Sequence, residues 1–277
     1  MSDRPPLSGT VLITGASSGI GRELARRVCG EARRVVLVAR REDRLHALAE
    51  ELSRARIGLD VDVAPCDLAD LEAVAALCDR LDDEGGVDVL INNAGFGDRS
   101  FLEDADLAKL QRMVAVNVTA VVYLTQRLVA GMVARGHGGV MNVGSVLGRI
   151  VQPGVATYAG SKHFIGGFSA ALRAEVASAG VTVTEVCPGP VSTEFREIAS
   201  NRTGVSSPGF LRIEPGPCAD DALRAFRRGQ AVVFPGRLNR VLMHVIRWVP
   251  AFVLRWAMAR SGAKARAAMP SAAETTD

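Results

Sequence analysis

Seven short apolar and β-branched runs punctuate the chain: TVLIT at 10–14, VVLVA at 35–39, VDVA at 61–64, VDVLI at 87–91, GVMNV at 139–143, VTVTEV at 181–186 and AVVF at 231–234. Longer stretches with helical periodicity separate them. Strand and helix in alternation are the signature of βαβ units, because a parallel strand is reached only through a crossover. The runs are almost continuously apolar, as strands covered by helices on both faces must be. Right-handed crossovers then lead to an α/β fold with a doubly wound parallel sheet of about seven strands. Ligands of such sheets bind beyond the carboxyl ends of the strands.

A chain of 277 residues is accommodated more simply by one α/β domain with an appendage than by two domains. We divide it into a domain at 1–237, an amphipathic helical extension at 238–268, and a small, polar, disordered tail at 269–277. The hydrophobic share of 48% suits a packed core. The 33 basic and 30 acidic residues are mixed along most of the chain, which argues against a nucleic-acid partner. Cys29, Cys66, Cys78, Cys187 and Cys218 form no C-x-x-C pair and read as small buried thiols of a cytoplasmic protein. The start, MSDRPPLSGT, lacks the apolar stretch of a secretory signal. His46, His137, His163 and His244 lie far apart without metal-ligand spacing, so no metal site is expected.

Directly after the first run stands Thr14-Gly15-Ala16-Ser17-Ser18-Gly19-Ile20-Gly21, and a helical pattern follows from Arg22. Strand, glycine turn and helix in this order let backbone amides at a helix N-terminus face a pyrophosphate, the Rossmann-like solution to binding a dinucleotide. The second strand ends Val38-Ala39-Arg40-Arg41, where an acidic residue would hold a free ribose 2′-hydroxyl. Arg40 attracts a 2′-phosphate instead, with Arg41 or Arg44 assisting, so NADP(H) is expected in preference to NAD(H). The competing view makes these arginines a solvated helix start within RREDR.

In Tyr158-Ala159-Gly160-Ser161-Lys162, tyrosine and lysine fall at i and i+4, on one face if the segment is helical. A phenol of pKa ~10 is a poor base at neutral pH, and a neighbouring ammonium favours the phenolate. The pair therefore suits general acid/base work. Ser145, just past GVMNV, stands where a substrate carbonyl would need a hydrogen bond.

The glycine spacing, Ser145 and the Y-x-x-x-K pair together resemble the short-chain dehydrogenase/reductase family from about Thr10 to Thr193. That resemblance implies interconversion of a carbonyl and a secondary alcohol by hydride transfer, on a small-molecule substrate. Ser145 would hold the carbonyl and Tyr158 exchange the proton, while Lys162 would bind the nicotinamide ribose and lower the tyrosine pKa. Asn117, in Val116-Asn117-Val118, matches the family's fourth catalytic residue, whose backbone carbonyl holds a relay water. For the cofactor, the resemblance implicates Gly15, Ser17, Ser18, Gly19, Ile20 and Gly21, then Asp67 and Leu68 at the adenine. It adds Asn93, Ala94 and Gly95 after the fourth strand, and Pro188, Gly189, Val191 and Thr193 at the nicotinamide carboxamide. Relatives form homodimers or homotetramers. Two positions depart from the pattern: Gly144, where serine is frequent, and His163, where a small residue is usual.

A non-catalytic NADP-binding sensor of the same fold is the alternative, but it leaves Asn117, Ser145, Tyr158 and Lys162 without a purpose. A sugar-nucleotide epimerase would need another glycine spacing and a larger substrate domain. Ser145 lies in Val143-Gly144-Ser145-Val146 rather than a G-x-S-x-G elbow, which sets a serine hydrolase aside.

Residues 193–217 are irregular in composition and read as a mobile loop near the site. Leu238 to Arg260 is apolar, but Arg240, His244, Arg247, Arg255, Arg260 and Pro250 make it unfit to span a bilayer. Val241, Leu242, Val245 and Val249 form an apolar stripe opposite the basic one, with Trp248 and Trp256 suited to an interface. Two readings remain open: a peripheral membrane contact, or helices packed on the domain or across a subunit boundary. Loop and extension are expected to build an apolar substrate pocket.

Overall fold

In the computed structural model, which describes residues 7–195, 199 and 209–267, all seven apolar runs enter one parallel sheet. The strands are β1 (Thr10–Thr14), β2 (Arg34–Ala39), β3 (Asp60–Pro65), β4 (Val89–Asn92), β5 (Gly138–Val143), β6 (Val181–Val186) and β7 (Val232–Val233). Their order is β3-β2-β1-β4-β5-β6-β7, so the direction of winding reverses between β1 and β4. At such a reversal the flanking crossovers part and leave a crevice at the carboxyl ends.

Alternate residues of each central strand serve opposite faces. Val11, Ile13, Val35 and Leu37 join Leu24, Val28, Leu45, Leu52, Leu223 and Phe226 in one core layer. Those partners come from α1 (Gly19–Val28), α2 (Glu42–Ala55) and α7 (Pro215–Arg227). Leu12, Val36, Val38 and Leu90 join Val74, Leu81, Leu124, Leu128, Leu172 and Val176 on the other face. There the helices are α3 (Leu71–Asp83), α5 (Ala120–Arg135) and α6 (Ala156–Val176). The doubly wound α/β sheet expected from the alternation is the fold observed.

The short helix α4 (Leu107–Val114) runs through a π-helical turn at Ala115–Thr119 into α5. This continuous stretch, Leu107–Arg135, has the length and hydropathy to cross a membrane. Its Ala120, Leu124, Leu128 and Met132, however, are buried in the core layer against the sheet.

Three local readings change. β4 begins at Val89 rather than Val87, and the Asp88 carboxylate just before it accepts the Thr10 amide at 2.7 Å. The stretch read as irregular to residue 217 contains a 3-10 turn at Gly209–Leu211, and α7 begins at Pro215. Proline there marks a first helical turn, where its missing N–H leaves no bond unmade. Residues 196–198 and 200–208 of the expected mobile loop lie outside the described residues, as does the expected tail at 269–277.

The extension forms α8 (Arg237–Ile246) and α9 (Ala251–Ala267), separated at Pro250. The inward side of α8 is not the expected stripe of Val241 and Val245, which are 61% and 57% exposed. Asn239 and Met243 point inward instead.

Candidate active site

The turn after β1 is held open from behind. Thr14 accepts the amides of Asn93 and Ala94 on its hydroxyl, both at 3.0 Å. The Asn93 side chain donates back to the carbonyls of Thr14 at 2.8 Å and Gly15 at 3.3 Å. Gly15 needs its positive φ of 68°, and a Cβ on Gly21 would fall 2.4 Å from both the Asn93 amide and the Gly15 carbonyl. α1 begins at Gly19, so the amides of its first turn have no partner within the helix and face the crevice. A dinucleotide pyrophosphate fits this cradle.

At the end of β2, Arg40 is exposed and lines the same cavity, ahead of α2 rather than within its first turn. Arg41 donates to the hydroxyls of Ser17 at 3.1 Å and Ser18 at 3.0 Å and pairs with Glu194 at 2.8 Å. Arg44 reaches Glu194 at 2.6 Å. No acidic residue stands at the strand end itself, and Glu194 offsets the charge of Arg41 and Arg44. Asp67 accepts the Ala69 amide and pairs with Arg112, at the far end of the cavity with Cys66 and Leu68.

The side chains expected to be catalytic come from three elements. Ser145 lies just past β5, 7% exposed, its hydroxyl accepting the Leu147 amide at 3.1 Å. Tyr158 and Lys162 lie one turn apart on α6, as their spacing implied. The Lys162 ammonium is 4% exposed, donates to the Val143 carbonyl at 2.8 Å and stands 6.0 Å from the Tyr158 ring centre. Asn117 is buried within the π-helical turn, where the widened i→i+5 ladder displaces the backbone from ordinary helical register. Its amide bonds the Phe96 carbonyl at 2.9 Å and the Ser161 hydroxyl at 3.2 Å, tying the turn to α6.

Burial governs both titrating groups. It pushes the Tyr158 hydroxyl above its ordinary value, while a hydrogen bond with Ser145 and the charge of Arg99 act in the opposite sense. The Lys162 ammonium is directed at the Val143 carbonyl, and the charge that lowers the tyrosine, against the larger effect of desolvation, is that of Arg99. The same burial brings Lys162 down to about 8. Between that value and the ordinary 10.5 the unfolded chain holds more protons than the folded one, so stability rises with pH across that window. Below it, the buried charge opposes folding by roughly 3 kcal/mol. Lys162→Met, which keeps the packing but loses one hydrogen bond, is expected to raise Tm by about 2–5 °C at pH 7. The gain should vanish above pH 10.5 in calorimetric scans; a Tm unchanged or lowered at pH 7 would contradict the burial argument.

One cavity of about 980 Å³ joins these parts. Of the residues expected from sequence, Gly15, Ser17, Ser18, Gly19, Ile20, Arg40, Asp67, Leu68, Asn93, Ala94, Gly95, Ser145, Tyr158, Lys162, Pro188, Gly189, Val191 and Thr193 line it. Gly21 and Asn117 stand behind the wall, the first beneath the turn and the second beneath Gly95. The end nearest Tyr158 is largely apolar, formed by Phe96, Val146, Leu147, Ile150, Phe195 and Leu211 together with Leu242, Met243 and Ile246 of α8, with Arg99, whose charge acts on Tyr158, also lining the cavity.

The sequence did not reveal three supporting residues. Glu185, 1% exposed at the end of β6, pairs with Arg149, which follows the turn that carries Ser145. An acidic residue in the apolar run VTVTEV was the available signal. Glu185 also accounts for Gly144, since a Cβ there would lie 2.7 Å from its carboxylate. The third is Asn239 of α8, which is buried against Gly189 and donates to the Leu211 carbonyl at 3.1 Å. The other departure, His163, is exposed, its ring nitrogen against the Ala159 carbonyl, and does not line the cavity.

The family model for short chain dehydrogenase matches residues 9–203. Sulfoacetaldehyde reductase 2 of Chromohalobacter salexigens is 36% identical over 209 residues, covering 74% of this chain and 82% of the relative. Serine 3-dehydrogenase of Agrobacterium fabrum is 38% identical over 216 residues, covering 78% and 85%. Among solved structures, a short-chain dehydrogenase from Sphingobium yanoikuyae in complex with NADPH superposes with a TM-score of 0.77 at 30% identity, covering 88% of this chain and 97% of that one. A bulky-bulky ketone specific alcohol dehydrogenase from Comamonas testosteroni gives 0.72 at 28% identity, covering 87% and 95%. By sequence, by fold and by the constellation its crevice assembles, the chain belongs to the short chain dehydrogenase family of oxidoreductases.

Proposed function

We propose that the protein interconverts an apolar carbonyl compound and its secondary alcohol with NADP(H), used in preference to NAD(H). The observation that carries this reading is the convergence of Ser145, Tyr158 and Lys162 on the apolar end of a cavity whose other end holds the glycine turn and Arg40. When bound, the dinucleotide supplies or accepts the hydride. The amides at the start of α1 hold its pyrophosphate, and Arg40 with Arg41 holds the 2′-phosphate. Pro188, Gly189, Val191 and Thr193 face the nicotinamide end, where Asn239 braces Gly189.

Ser145 donates a hydrogen bond to the substrate oxygen and fixes it beside the Tyr158 hydroxyl. Tyr158 gives its proton to that oxygen in reduction and takes it back in oxidation. A hydroxyl held above its ordinary value is protonated at neutral pH and ready to donate in reduction. Lys162 positions the ribose and restores the tyrosine's proton, with Asn117 shaping the route behind it. The apolar wall from Phe96 to Ile246 excludes water and receives the substituents of the carbonyl.

Absorbance of NADPH followed over a panel of apolar ketones and aldehydes tests this. Reduction should be flat through neutral pH, begin to fall as Lys162 loses its proton at about 8 and fall further as pH rises through the tyrosine value, and oxidation of the alcohol should rise over the same range. An inert panel combined with tight NADPH binding would identify the sensor alternative.

A further inference from the structure

The last two helices display a surface that no described residue covers. On α8 the inward side chains are Asn239, Met243 and Ile246, while Val241, Val245 and, just past the end of the helix, Trp248 are exposed, Trp248 at 82%. α9 continues this ridge with Phe252 at 69% and Trp256 at 60%, and none of its described side chains is buried. A helix that buries so little gains little from packing in water and needs another surface to rest on.

The charge of the segment says what kind. Residues 237–267 contain Arg237, Arg240, Arg247, Arg255, Arg260, Lys264 and Arg266, all exposed, and no aspartate or glutamate. Of the chain's 33 basic and 30 acidic residues, the remainder therefore keeps 26 basic against 30 acidic. The net charge of +3 is thus a mildly acidic body, at −4, joined to a segment at +7. Arg240 and Arg266 share their charge with Asp221 at 3.7 Å and Glu103 at 2.5 Å. Two guanidiniums accompany the indoles: Arg247 stands 5.9 Å from the Trp248 ring and Arg260 4.8 Å from Trp256. Indole beside guanidinium at the edge of an apolar ridge is the pattern of a helix lying in a lipid headgroup layer.

We propose that α8 and α9 dock the protein on an anionic lipid surface, with Trp248, Phe252 and Trp256 in the headgroup layer. A second copy of this chain fits the same face poorly, because a two-fold contact sets one strongly basic segment against another. Leu242 lines the cavity and is 38% exposed, so the docked face meets lipid at the cavity's rim. The proposal does not depend on the catalytic reading.

Trp248 and Trp256 are the chain's only tryptophans, so its intrinsic emission reports this face directly. Full-length protein titrated with vesicles of phosphatidylcholine plus phosphatidylglycerol should show a blue shift and co-sediment, and added salt should reverse both. Vesicles of phosphatidylcholine alone should leave the emission unchanged. Each basic residue at an anionic surface contributes about fivefold to partitioning, so Arg247→Gln with Arg260→Gln should weaken binding about 25-fold at unchanged Tm. No shift with either vesicle, or equal binding to both, overturns the proposal. So does a blue shift that follows protein concentration without vesicles, which would assign the face to a second copy.

Discussion

Tyr158→Phe is expected to lower kcat about 10³-fold or more while leaving NADPH affinity within a factor of two or three. The ring stays in its tilted contact with Phe195, 5.6 Å between centres, so the variant loses the hydroxyl and little else. Without that hydroxyl, Ser145 and Lys162 are the nearest polar side chains of the expected catalytic set, and neither is aimed to give a proton to the substrate oxygen. Ser145 itself already accepts the Leu147 amide, and Lys162 donates to the Val143 carbonyl. Single-turnover oxidation of NADPH, with cofactor binding read from nucleotide fluorescence, separates the chemical step from binding. Retained turnover would remove Tyr158 from the mechanism. Loss of cofactor affinity in step with turnover would make its role positional.

Arg40→Asp should weaken NADPH binding about 100-fold or more and leave NADH binding unchanged or improved. A hydrogen bond to a charged group is worth about 1.5–3 kcal/mol, and the substitution adds repulsion between carboxylate and 2′-phosphate. Arg41 offsets part of the loss, since its guanidinium stays anchored on Ser17 and Ser18. Titration of both nucleotides against both proteins is the measurement. Equal losses for NADPH and NADH would show that Arg40 serves the turn as a whole, and the preference would need another origin.

Strand positions were legible because β1, β2, β5 and β6 bury both faces, and a strand buried on both faces is apolar or β-branched at most positions. The glycine turn and the Tyr158–Lys162 spacing were legible because their geometry is local: one turn of chain, or one turn of helix. What escaped notice depends on contacts across long separations. Glu185 and Arg149 meet from β6 and the turn after Ser145, and no spacing rule links them. Asn239 reaches Gly189 across fifty residues of chain. The amphipathic pattern of α8 was visible, but periodicity defines stripes without saying which one the body covers. There the pocket selected Asn239 and Met243 and left Val241 and Val245 outside.

The reversal of winding between β1 and β4 has a consequence for how the molecule forms. Val11 pairs with Val89, so one edge of β1 stays bare until three complete βα units have been synthesised. Pairing of parallel strands so distant in sequence is slow, and the waiting edge invites association with other nascent chains. The phosphate turn waits as well, because the side chain that braces Thr14 and Gly15 belongs to Asn93, which arrives with β4. Nucleotide therefore meets a finished cradle only after the slowest pairing is complete. Binding then holds the native state through mass action, slowing loss of the folded molecule without hastening its birth.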